Sequence, residues 1–149
     1  MKSTSKLITG VCAFVMLLIF AVPFTVFADS FDGSKTLLCA PQSVVECGPD
    51  GSCQQVSPAS VNLPGFFEID CKEKMISRPG GPEDLKGSKI DRMEVLDSKL
   101  ILQGADDGVE GVRDGLAWSM AIAQDTGKLV ASAAGESEAF VIFGACTVR

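Results

Sequence analysis

Residues 116–132 read Leu116-Ala117-Trp118-Ser119-Met120-Ala121-Ile122-Ala123, then Gln124-Asp125-Thr126-Gly127, then Lys128-Leu129-Val130-Ala131-Ser132. The first eight alternate strictly. Leu116, Trp118, Met120 and Ile122 fall on one face of an extended chain, with the small residues Ala117, Ser119, Ala121 and Ala123 on the other. A period of two marks a half-buried strand, because successive side chains point to opposite faces. A helix would instead group Trp118 with Ile122 and Ala121 and leave Leu116 elsewhere. The four residues that follow are a hairpin turn, and 128–132 returns as its second strand.

Both flanks repeat this pattern of short apolar runs broken by Gly, Pro and Asp. On the N-terminal side, strands are expected at 36–40, 43–47, 53–56, 66–71, 75–77, 90–96 and 100–103. In 66–71, Phe67, Ile69 and Cys71 share one face, while Glu68, Asp70 and Lys72 share the other. Gly48-Pro49-Asp50-Gly51-Ser52 is a turn with a mechanism: proline presets its φ and Asp-Gly tolerates the reversal. Lys72-Glu73-Lys74 and Asp97-Ser98-Lys99 are further tight turns. Segment 57–65 is a loop or short helical turn, and 78–84 and the glycine-rich 104–115 are loops. On the C-terminal side, 140–146 is apolar on both faces, as a central strand is. The pattern predicts an all-β antiparallel meander of about nine short strands. Closure into a small barrel would remove exposed edges. A two-sheet β-sandwich is the alternative.

The N-terminus reads differently. Lys2 and Lys6 precede an uncharged, mostly apolar run over 7–27, which ends at Val26-Phe27-Ala28 with small residues at the two positions a signal peptidase reads. Residues 1–28 are therefore expected to be a cleaved Sec-type signal peptide. The rival is an uncleaved anchor, since the run is long enough to span a bilayer; Pro23 and the cleavage triplet weigh against it. Cys12 lies inside the apolar run, behind the bulky Val11, which disfavours a lipoprotein. Residues 29–149 are then one domain in the periplasm or secreted, large enough for a real core. They carry 11 basic and 19 acidic residues, a net charge of −8. Nucleic acid and anionic membrane surfaces are unfavourable partners for such a chain. A cationic protein would be attracted, although solubility alone accounts for the charge.

The chain has no histidine and no tyrosine. Without histidine the commonest general base, the Ser-His-Asp and Cys-His arrangements and the best zinc ligand are missing. No enzyme, cofactor or metal is expected. Asp106, Asp107, Glu110 and Asp114 cluster in the glycine-rich loop, but their spacing does not match a calcium loop, and a solvated acidic loop is the expectation.

Five cysteines remain after residue 28: Cys39, Cys47, Cys53, Cys71 and Cys146. In an exported small domain these read as disulfides, with at least one left over. Cys47 and Cys53 flank the five-residue turn, which places them opposite each other in a hairpin. Cys39 and Cys146 lie in the first and last strands, which barrel closure would put side by side. Five cysteines allow 15 ways of making two bridges, so the Cys39–Cys146 pairing is an inference from the expected topology. Cys71 is left on the apolar face of its strand as a buried thiol. Trp118, the single tryptophan, is either a core anchor or part of the lining of a ligand cavity.

Several stretches together resemble a group of short exported, cysteine-containing bacterial proteins with no established activity. They are Leu37-Leu38-Cys39-Ala40, 44–53, Val61-Asn62-Leu63-Pro64 running into Phe66-Phe67-Glu68-Ile69-Asp70, 100–104, Trp118-Ser119-Met120, Thr126-Gly127 and 140–146. The resemblance implies an exported, disulfide-containing small domain and brings no chemistry. The functional expectation is a small non-catalytic binding or envelope-associated protein. Its candidate partners are a small apolar ligand or a cationic protein. The alternative is an inhibitor of a cationic extracellular enzyme such as lysozyme, acting through charge steering. A hollow interior would favour a ligand.

Overall fold

A computed structural model of the chain describes residues 31–80, 87–108, 111–112 and 114–149. The expected signal segment and its cleavage site lie outside the described residues. Ten strands follow one another: β1 (Leu37–Cys47), β2 (Cys53–Val56), β3 (Phe67–Asp70), β4 (Met75–Ser77), β5 (Ser88–Lys89), β6 (Arg92–Leu96), β7 (Lys99–Asp106), β8 (Leu116–Ala123), β9 (Lys128–Ala134) and β10 (Ala139–Val148). All belong to one antiparallel sheet in the order β5-β4-β3-β1-β10-β9-β8-β7-β6, with β2 paired to β1 beside that path. The all-β antiparallel meander is thus the fold, and the sheet curls into a half-barrel.

The expected closure into a full barrel is not reached, but the first and last strands of the meander do lie side by side, as the cysteines required. β1 and β10 pair along their whole length, with Leu37 opposite Val148 and Cys47 opposite Ala139. Cys39 faces Cys146 in that ladder and is bonded to it; Cys47 faces Cys53 across the β1–β2 hairpin and is bonded to it. The break in the sheet lies instead between β5 and β6, which only Ile90 and Asp91 separate. β5 does not pair with β6 among the described residues. It lies against β7: Asp91 N donates to Gln103 O at 2.9 Å, and a Cβ on Gly104 would stand 2.3 Å from Lys89 O. Ile90, almost wholly buried, plugs the core at this crossing.

The expected strand 90–96 begins only at Arg92, and β5 has no counterpart among the expected strands; two further differences have a clear physical reason. The expected strands 36–40 and 43–47 are one strand, because the chain continues through Pro41 with a register shift between Pro41 and Ser43. A proline lacks the N–H a ladder needs, and an irregularity at that point accommodates it. β7 continues past Gln103 to Asp106, through a glycine that sequence alone marks as a loop start. The turns behave as expected. Asp50 Oδ1 accepts from Ser52 N at 3.0 Å and from Ser52 Oγ at 2.7 Å, and these bonds hold its carboxyl below the usual carboxylate range. Residues 57–65 contain a single helical turn, Pro58–Val61, capped by Ser57, whose Oγ accepts from Ser60 N at 3.2 Å.

The inner face of the curled sheet carries the core. Leu37, Cys39, Ile69, Leu100, Leu102, Ile122 and Leu129 are each at most 2% exposed. These are the inward positions of their strands, spaced by two, so burial and pleat agree. Glu68, on the other face of β3, is bonded to Arg149 at the C-terminus.

Candidate functional site

The core does not fill the half-barrel. At one end of the inner face lies a partly enclosed cavity of about 610 Å3. β8 supplies one wall. Its strict alternation turns Leu116, Trp118 and Met120 to the same side, and all three line the cavity. Leu129 and Ala131 of β9 and Ile142 of β10 continue that wall across the sheet. Phe67 of β3 and Ile76 of β4 form the facing side, and Leu63 and Pro64 cover it from the loop after the helical turn.

Trp118 holds both roles that its sequence position allows. It is half-buried and packs against the core cluster, and it also lines the cavity. Its indole Nε1 donates to Ser88 Oγ at 2.9 Å, which satisfies the one polar atom of the ring. Opposite it in the β7–β8 ladder is Gly104, where a Cβ would stand 2.4 Å from Trp118 Cζ2. The missing side chain lets the indole lie over β7 while the backbone of β5 crosses it. Ser88 and Gly104 are therefore the two residues that fix the ring. Neither stood out as functional in the sequence; the only signal was a glycine within an apolar run.

The lining is chiefly apolar, with few polar groups. Ser77, Ser88 and Ser132 contribute hydroxyl-bearing residues. Arg78, just after β4, and Asp106, at the end of β7, are the two charged residues of the lining among the described residues, and both are exposed. Of the clustered acidic residues, Asp106 lines the cavity and Asp107 and Asp114 do not; Glu110 lies outside the described residues. No group of three metal-ligating side chains occurs among the described residues.

Comparison with protein-family models, curated proteins and solved structures gives no match.

Cys71 is 3% exposed, unpaired and remote in character from a reactive thiol. Burial pushes its pKa up, and the carboxylates of Asp70 and Asp32 push it further. A nucleophilic cysteine needs the opposite surroundings. Lys72 and Lys74, its basic neighbours in sequence, are exposed. The disulfide-bonded residues Cys39, Cys146, Cys47 and Cys53 are not among those lining the cavity.

Proposed function

We propose that this chain is an exported, non-catalytic binding protein whose half-barrel takes up a small, mainly apolar ligand. One observation carries the proposal: the interior is hollow beside Trp118, with about 610 Å3 of space and an apolar wall broken by a few polar groups. Ligand sites in general have this size and this balance of lining. Two disulfides suit an oxidising compartment, and the charged start, apolar run and Ala28 triplet supply the route there. The hydroxyls of the lining have no histidine to activate them, which favours binding over acyl transfer.

The protein contains its own reporter, since it has one tryptophan and no tyrosine. Titration with N-phenyl-1-naphthylamine, a neutral apolar fluorophore, should quench Trp118 emission saturably by energy transfer. Ala131→Phe, which places a ring in the cavity, should weaken that binding by tenfold or more while thermal unfolding remains cooperative. A parent protein that shows no saturable change, or a folded Ala131→Phe variant that binds equally well, would refute the proposal.

A further inference from the structure

The charges at the cavity specify the ligand further, given that the cavity is a ligand site. Arg78 reaches it from the β4 side and Asp106 from the β7 side. Among the described residues they form no ion pair with each other or with another side chain. A ligand with a single negative charge would satisfy Arg78 but meet Asp106 and a domain of net charge −8. A ligand with a single positive charge would satisfy Asp106 and be opposed by Arg78. Only a molecule carrying both charges on an apolar body meets both residues with its complement. The cavity's volume, at about 30 Å3 for each water-sized unit, allows roughly 20 non-hydrogen atoms. We propose that the ligand is a small zwitterion with apolar substituents, of which an apolar dipeptide with free termini is the simplest form. The apolar side chains lie against Trp118, Met120 and Leu129. The carboxylate meets the Arg78 guanidinium, whose planar fork suits it, and the ammonium group meets Asp106.

Four peptides with one apolar body separate the contributions: leucyl-leucine, its N-acetyl form, its C-terminal amide and the doubly blocked form. Each competes with N-phenyl-1-naphthylamine for the oxidised protein, followed through Trp118. Contacts at an exposed rim are weak, so each charge should improve binding by about threefold to fivefold. Leucyl-leucine should bind tightest and the doubly blocked peptide weakest. In Arg78→Gln, leucyl-leucine and its amide should become equal. In Asp106→Asn, leucyl-leucine and its N-acetyl form should become equal. Neither residue is buried, so both variants should melt like the parent. Four peptides of equal affinity, peptides that fail to displace a bound probe, or a charge preference that survives both substitutions would overturn the zwitterion while leaving the apolar site intact. A probe that does not bind at all would overturn both proposals.

Discussion

Gly104→Ala tests the crossing of β5 over β7, on which the shape of the cavity depends. A glycine inside an ordinary strand gains from replacement by alanine, because the unfolded chain loses freedom; the gain is about 0.4–1 kcal/mol. The structure reverses the sign here. An added Cβ would lie 2.3 Å from Lys89 O, 2.4 Å from Trp118 Cζ2 and 2.8 Å from Trp118 Cε2. Carbon atoms settle at about 3.5–4.0 Å, so the ring or the β5 backbone must retreat by about 1 Å. Neither is the free end of a flexible side chain. Overpacking of this kind costs about 1–3 kcal/mol. Set against the chain-freedom gain, a net loss of roughly 1–2 kcal/mol is expected. Gly65→Ala is the control, because nothing lies within 4 Å of its added Cβ; it should hold or slightly raise stability. Urea unfolding followed by tryptophan emission measures both. The same spectra read the folded state, in which Gly104→Ala should shift Trp118 emission as the indole moves from Ser88. A Gly104→Ala protein at least as stable as Gly65→Ala, with unchanged emission, would refute the crossing.

Removing Cys39–Cys146 by paired alanine substitutions should cost more than removing Cys47–Cys53. The chain-entropy model gives ~4.8 kcal/mol for the long loop against ~2.4 for the short one; urea melts giving the reverse order would contradict the topology. Cys71 should resist iodoacetamide at pH 8 in the native protein and react once urea is added; rapid labelling without denaturant would show that the thiol is accessible. Its raised pKa also sets a sign for pH. The buried thiol favours the protonated form, so its contribution is complete below the ordinary value of 9.0 and is lost as pH rises above that value toward the folded pKa. Cys71→Ala should flatten that alkaline decline. Intact mass of the exported protein should correspond to a chain beginning at Asp29 with two disulfides; a species retaining residues 1–28 in the membrane fraction would exclude cleavage.

Much of the fold was legible because the inward residues of the strands obey the pleat so plainly. Leu116 to Ala123 specified its own strand and faces, and Phe67, Ile69 and Cys71 are buried together as their spacing required. The two bridges followed from opposing strand positions alone. The boundaries were less legible where one residue type serves two purposes. Pro41 reads as a stop but sits within a continuous strand at a register shift. Gly104 reads as the start of a loop, whereas it is a strand residue whose missing side chain admits an indole and a crossing backbone. The two-residue strand β5 is too short for any periodicity to register. The cavity was only half visible. Alternation placed Trp118 inward, but a hollow interior and a filled one present the same alternation, because the difference lies in how tightly the sheet curls. Ser88, Arg78 and Asp106 belong to segments whose sequence says only loop or edge, and they come together through that curl.

The long pairing of β1 with β10 bears on how the chain reaches this state. Leu37 has Val148 as its partner, and Arg149 N donates to Thr36 O at 3.0 Å. β1 therefore waits for β10, far along the chain, before one of its edges is satisfied. Pairing over such a separation is slow, and an open strand edge invites other chains in the interval. The β1–β2 hairpin, already tied by Cys47–Cys53, can form at once and shields part of the opposite edge. Chains that lose β10 to truncation or proteolysis are then left with an open edge of β1 that no other described strand covers, and they should aggregate rather than persist as shortened monomers.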